Sequence, residues 1–319
     1  MNQLINESIL SGLPMKFTFN SFLCAALLLV VSLSATARTQ PPATEDIFVV
    51  DVTASKGKLE FGAPANITKR AGYDNQPSFL PDGQSLLYTS GREGDQTDIY
   101  RYDFKTGQAT RLTNTPEGEY SPTVMPGGKF FSVIRVEADK TQRLWKFPLA
   151  GGAPALVLPN LKPVGYHLWL DGRTLALFIL GTEGRPNTLQ LAPTDNSFLD
   201  TIHVNIGRAL HLIPRRTAFS FVHKISPDEW LIKAFDLKTK RSTTLARTLP
   251  ASEDLAWTPG GTILMAQDSK LYQLDPAAPS PAWQLVADFS AAGLKKITRL
   301  ALSPKADRLA LVAQTGIAQ

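Results

Sequence analysis

The side chains that could do chemistry in this chain recur at a fixed spacing. Asn75, Tyr120, Val164, Arg208, Glu253 and Thr298 follow one another at intervals of 44 or 45 residues, with Asp74, Glu119, Tyr166, His167, His211, Asp254 and Arg299 beside them. Two chemistries could use such a set. Glu253, Asp254 and Asn75 are oxygen ligands of the kind that hold calcium. A calcium ion there would make a lactonase-like, calcium-dependent hydrolase, although these residues come from repeats that are not adjacent. The other chemistry is recognition. A ring of mixed charge with tyrosine and arginine suits a protein or peptide partner, because Tyr, Trp and Arg carry most interface energy. This second reading leads, and its binding residues are Asn75, Tyr120, Tyr166, His167, Arg208, His211, Glu253, Asp254 and Arg299.

The histidines are His167, His203, His211 and His223. His167 and His211 hold corresponding positions in adjacent repeats, which could set two imidazoles near each other. A metal site needs a third and usually a fourth ligand. The corresponding residues elsewhere are Ser78, Thr123, Ala256 and Ala301, so no metal or other cofactor is expected outside the calcium alternative. The run Asp95-Gln96-Thr97-Asp98 lacks the glycine and distal glutamate of an EF-hand loop and reads as a solvated hairpin. No Gly-x-Ser-x-Gly, His-Glu-x-x-His, P-loop or Gly-x-Gly-x-x-Gly occurs, so no catalytic residue is assigned.

The elements that must position this ring are read from the same period. The fullest copy of the repeat is Pro77-Ser78-Phe79-Leu80-Pro81-Asp82-Gly83 followed by Leu86-Leu87-Tyr88. Its turn position recurs at Gly83, Gly128, Gly172, Arg216, Gly261 and Ala306, with intervals of 45, 44, 44, 45 and 45. A period of this length in an all-β pattern marks a β-propeller. In the best copy the strands are expected at 78–80, 85–90, 98–103 and 109–113, with Pro and Gly shaping the turns. The first-strand residues Phe79, Val124, Leu168, Leu212, Trp257 and Leu302 should pack between blades, as should Tyr100, Trp145 and Tyr272 on third strands. Asp103, Asp236 and Asp275 align at third-strand ends.

The sixth copy supplies only two strands before the sequence stops. The other two are expected at the opposite end: residues 46–51 copy 98–103, and Asn66-Ile67-Thr68 copies Arg111-Leu112-Thr113. The expected fold is therefore an all-β, six-bladed propeller of about 45 residues per blade, closed by its N-terminal strands so that no sheet edge stays open.

The motif Pro-x-Phe-x-Pro-Asp-Gly, the apolar strand after it, Ser90-Gly91-Arg92 and Asp98-Ile99-Tyr100 together resemble the repeat of the TolB-like (WD40-like) β-propellers. The resemblance spans residues 45–315 and is fullest in the first repeat. It resembles the propeller alone, without the separate N-terminal domain of TolB. What it implies is a periplasmic or secreted scaffold that binds partners on one face; the leading reading is a non-enzymatic module, with the calcium-dependent hydrolase left open as the alternative.

Residues 1–37 have the layout of a secretory signal peptide. Lys16 precedes the apolar stretch 17–33, and Ala35-Thr36-Ala37 offers a cleavage site. Met15 is an alternative start. The uninterrupted apolar run 22–33 is too short to span a bilayer. Residues 38–319 form one domain. Cys24, the only cysteine, lies in the leader, so the mature chain has no disulfide and no thiolate ligand. The net charge of +5 is scattered, apart from clusters such as Lys238-Thr239-Lys240-Arg241, which argues against nucleic acid.

Overall fold

The computed structural model describes residues 45–55, 58–70, 72–93 and 96–315. The leader, its cleavage site, Cys24 and Asp95 lie outside the described residues. Among those described, the chain is all-β apart from one 3₁₀ turn at Ser290–Ala292, and no helix is long and apolar enough to cross a membrane.

The chain opens with β1 (Glu45–Ser55), β2 (Lys58–Phe61) and β3 (Ala65–Asn66). Then come β4 (Tyr73–Phe79), β5 (Ser85–Glu93), β6 (Gln96–Asp103) and β7 (Gln108–Arg111), and next β8 (Gly118–Val124), β9 (Phe130–Val136), β10 (Gln142–Pro148) and β11 (Ala155–Leu156). A third group is β12 (Val164–Trp169), β13 (Thr174–Ile179), β14 (Thr188–Pro193) and β15 (Asp200–Val204), and a fourth is β16 (Ile206–Leu212), β17 (Ala218–Ser226), β18 (Glu229–Asp236) and β19 (Arg241–Arg247). The last are β20 (Leu255–Trp257), β21 (Ile263–Gln267), β22 (Lys270–Leu274), β23 (Gln284–Asp288), β24 (Leu294–Leu302) and β25 (Arg308–Thr315). Strands β8–β11, β12–β15, β16–β19 and β20–β23 each form a four-stranded antiparallel meander.

The remaining strands meet in one nine-stranded sheet, whose path runs β24-β25-β1-β4-β5-β6-β7. Its two halves touch through a single parallel pair, Glu45 with Tyr73, so they behave as two antiparallel units. In one of them β1 pairs with β25 from Glu45↔Gln314 to Asp51↔Arg308, and β3 pairs with β1. The hydrogen bonds repeat the sequence likeness. Thr68 Oγ1 accepts from Ile47 N at 3.0 Å and donates to Asp46. Thr113 Oγ1 accepts from Ile99 N at 2.9 Å and donates to Asp98. Two details differ from expectation. Strand β3 stops at Asn66 because Asn66 Oδ1 accepts from the amides of Thr68 and Lys69, turning the chain. Strand β2 is an addition to the repeat, a hairpin partner of the protruding end of β1.

Packing explains the continuous apolar runs. Leu86, Leu87 and Tyr88 are all fully buried because β5 is covered on both faces, so its pattern does not alternate. The core accordingly forms clusters between neighbouring sheets. Leu87 and Ile99 meet Phe131 and Val133, Ile134 meets Trp169 and Leu175, and Phe178 meets Phe219 and Phe221. Val222 meets Ile263, Leu264 meets Leu311 and Phe48, and Val312 and Ile47 meet Leu86 and Tyr88. Phe79, Val124, Leu168, Trp257 and Leu302 pack against these clusters, as do Tyr100, Trp145 and Tyr272. Leu212 is the exception: it is 47% exposed, at the end of β16 where the turn departs from the repeat. Asp103, Asp236 and Asp275 each accept backbone amides of the following turn, which fixes their alignment.

Candidate functional site

Strands β4, β8, β12, β16, β20 and β24 all contribute to the wall of one cavity of about 460 Å³. The sequence sends these strands there through irregular pairing. Register shifts occur between Asn75 and Ser78 and between Tyr120 and Thr123, where Gln76 and Ser121 take left-handed φ of 59° and 52°. Gln76 Oε1 ties the two strands together, accepting from Ser121 N at 2.7 Å and Thr89 Oγ1 at 2.8 Å.

A second cavity of about 490 Å³ adjoins the first, and the two share Arg208, Asp254, Arg299 and Leu300. Asn75 and Glu253 line this second cavity, together with Glu45, Tyr73, Lys296 and Thr298. Tyr166, His167 and His211 line the first one. Of the nine residues singled out by sequence, Tyr120 alone lines neither. Its ring sits edge-on to Tyr73 with centroids 6.4 Å apart, and it packs on the core cluster around Trp169.

A network of charges forms the wall shared by the cavities. Arg208 Nη1 reaches Glu253 Oε1 at 3.1 Å and its Nε reaches Asp254 Oδ2 at 3.4 Å. Its Nη2 donates to the Thr298 carbonyl at 2.9 Å. Lys224 Nζ holds Glu253 Oε2 at 2.8 Å. Arg299 Nη1 lies 3.6 Å from Asp254 Oδ2, and its Nη2 donates to Tyr166 Oη at 3.0 Å. Burial alone would push Glu253 up, but Arg208 and Lys224 outweigh it and hold the carboxyl below its ordinary range. Burial would likewise lower Arg299, and Asp254 with Tyr166 reverses that. Burial raises the Tyr73 phenol. Asn75 donates to Glu45 Oε2 at 2.5 Å. Of the three groups that calcium would need, Glu253 and Asp254 are engaged by guanidinium and ammonium groups, and Asn75 Oδ1 accepts from the Gln76 amide at 2.7 Å. Among the described residues no cluster of three or more His, Cys, Asp or Glu is placed to hold a metal.

His167 is set by a different chain of bonds. Trp169 Nε1 can only donate, and does so to Ser132 Oγ at 2.9 Å. Ser132 Oγ also donates to the Thr123 carbonyl at 3.3 Å and lies 2.6 Å from His167 Nε2, so one hydroxyl joins all three groups. The other ring nitrogen, Nδ1, is buried without a protein partner. Burial lowers the His167 pKa to about 3, so the ring stays neutral. Burial also lowers His211, with Asp254 opposing. His203 and His223 stand elsewhere, as a pair with ring centroids 4.0 Å apart.

Sequence reasoning missed Glu45, Tyr73, Lys224 and Lys296. Tyr73 directly precedes the recurring Asp74, a signal that was available. Lys224 had none, because it reaches Glu253 only through the packing of β17 on β20.

Comparison with known proteins agrees with this architecture. The PD40 family, described as the TolB beta propeller domain, matches residues 31–157. The uncharacterized peptidase YuxL of Bacillus subtilis (strain 168) is 38% identical over 53 residues, 17% of this chain, and the match spans only 8% of that protein. Among solved structures, a TolB candidate from Agrobacterium tumefaciens superposes with a TM-score of 0.66 at 15% identity, over 86% of this chain and 99% of that one. TolB from Acinetobacter baumannii gives a TM-score of 0.56 at 13% identity, over 85% and 64%. These identities speak to the fold, and function has to be argued from the site. The TolB beta propeller family match is carried by residues 31–157, less than half of the chain, and the fold likeness to TolB structures extends over most of its length.

Proposed function

We propose that this chain is a non-catalytic binding module: a six-bladed propeller, exported to the periplasm or secreted, that docks a protein or peptide over the cavity mouth lined by Asn75, Arg208, Glu253 and Lys296. Six blades closed by β1 are supported by the core clusters, which link each sheet to the next and the last to the first. The observation that carries the binding reading is this cavity itself, where tyrosine, arginine and carboxylate groups surround a space of about 490 Å³. Prepaired charges of this kind favour specificity and orientation of a partner.

The calcium-hydrolase alternative is disfavoured by the same geometry, because Glu253 and Asp254 already neutralise Arg208, Lys224 and Arg299. A photo-crosslinking residue at Lys296 should trap a discrete partner from the native envelope, while the same residue at Lys129, in a turn remote from the mouth, should not. Equal trapping at both positions, or at neither, overturns the reading. A large calcium-induced rise in melting temperature would restore the alternative.

A further inference from the structure

The turns at the far end of the β16–β19 sheet break the pattern of the repeat. The β16–β17 turn reads Pro214-Arg215-Arg216, and the β18–β19 turn runs Asp236-Leu237-Lys238-Thr239-Lys240. In each, the left-handed position is a cation: Arg215 at φ 60° and Lys240 at φ 57°. The equivalent of Lys240 in the β6–β7 turn is Gly107 at φ 67°, and the β8–β9 turn uses Gly127 and Gly128. The turns are otherwise the same, since Lys240 N donates to Asp236 O at 2.9 Å just as Gly107 N donates to Asp103 O at 2.9 Å. Glycine adopts this conformation freely and an L side chain does not. Folding alone favours glycine at both positions, as it does at Lys140 (φ 66°) and Ala306 (φ 54°) elsewhere, and what distinguishes this corner is that two such cations fall on neighbouring turns of one blade.

Arg216, Lys238 and Arg241 complete a corner of five exposed cations. The one carboxylate among them, Asp236, has its Oδ1 committed to the amides of Lys238 and Thr239. Among the described residues none of the five forms a salt bridge, whereas the interior Arg135, Arg208 and Arg299 are all paired. Arg215 is tethered through Nη2 to the Gly260 carbonyl, which holds its charge in place. None of the five lines either cavity.

We propose that this corner docks on a membrane surface bearing anionic headgroups. Residues 213–217 and 236–241 contain no aromatic side chain and so lack the anchors that a tight protein interface uses. Exposed cations on two neighbouring turns suit a diffuse anionic plane, to which each adds attraction that salt weakens.

The test is sedimentation of the purified chain with vesicles of phosphatidylcholine alone or mixed with phosphatidylglycerol, at low and high salt. Binding should require phosphatidylglycerol and fall with salt. Arg215→Gly/Lys240→Gly should bind such vesicles about 30-fold more weakly, given the contribution of each cation near a charged surface, and should melt at a higher temperature because both turns regain glycine. Lys238→Arg should bind like the parent. All are compared on the same chain, so any contribution of residues 17–33 cancels. Equal binding to both vesicle types, or no loss in the double glycine variant, overturns the proposal. Binding of soluble polyglutamate without vesicle binding also overturns it, in favour of an acidic protein partner.

Discussion

Arg299 on β24 donates to the phenol oxygen of Tyr166 on β12 at 3.0 Å, although 133 residues separate them and their sheets share no strand pairing. The guanidinium also lies over the Tyr166 ring, 5.2 Å from its centroid. This strut stands in the wall common to the two cavities, and Asp254 holds its other side.

Loss of the strut should be felt as coupled stability. Arg299→Met removes one of the two guanidinium partners of Asp254, leaves Arg208 and the Leu300 amide on it, and is expected to cost about 2 kcal/mol. Tyr166→Phe should cost about 1 kcal/mol. In urea denaturation the double variant should lose less than the sum, because one bond is counted twice. Strict additivity would mean the strut carries no energy.

Glu119 should make the chain less stable as pH rises toward neutrality. The side chain is fully buried, and burial raises its pKa to about 7 despite Thr115 and Arg135. Between its ordinary value and about 7 the folded state holds a proton that the unfolded state has released, so stability falls across that window. Glu119→Gln should therefore gain on the parent by on the order of 2 kcal/mol between pH 4.5 and pH 8. A pH-independent difference would exclude Glu119 as the source.

His167 acts with the opposite sign. Its pKa is lowered to about 3, so below about 6.5 the unfolded chain takes up a proton that the folded chain refuses. Stability is present above that pH and is lost progressively as pH falls toward 3. His167→Gln should flatten the acid limb of a stability–pH curve. Ser132→Ala should cost about 1–3 kcal/mol, since it leaves both Trp169 Nε1 and His167 Nε2 without a partner.

Strand β1 should matter as much as any internal strand. Ile47 and Ile99 are both fully buried at corresponding positions of β1 and β6. Ile47→Ala and Ile99→Ala should each cost about 3 kcal/mol. If β1 were an appendage, the first would cost far less, as hydrogen exchange of the β1 amides would also report.

Much of this was legible along the chain. The turns at Gly83, Gly128 and Gly261, the apolar strands and the aligned aspartates are local chemistry repeated, so each copy reinforced the others. The likeness of Asn66-Ile67-Thr68 to Arg111-Leu112-Thr113 marked the strand that pairs with β1, and the Thr68–Asp46 bond repeats Thr113–Asp98. Eight of the nine binding candidates chosen by spacing line one of the two cavities, whereas Tyr120, and Asp74, Glu119 and Val164 of the wider ring, line neither. What stayed hidden depends on neighbours the period does not encode. Leu212 keeps its place in the repeat, yet it is exposed because the turn beside it lost its pattern. Lys224 sits at a strand end with nothing in its surroundings to mark it.

By itself the sequence determined the repeat length, the strand order and which residues face neighbouring sheets, because those follow from side-chain volume and turn chemistry within about 45 residues. Only the tertiary structure decided that Arg299 meets Tyr166, that Arg208 and Lys224 share Glu253, and that Gln76 bridges to Ser121. Those contacts join strands from different repeats. They depend on the irregular register of the inner strands and on the width of the space those strands enclose, and both are properties of the whole assembly of sheets.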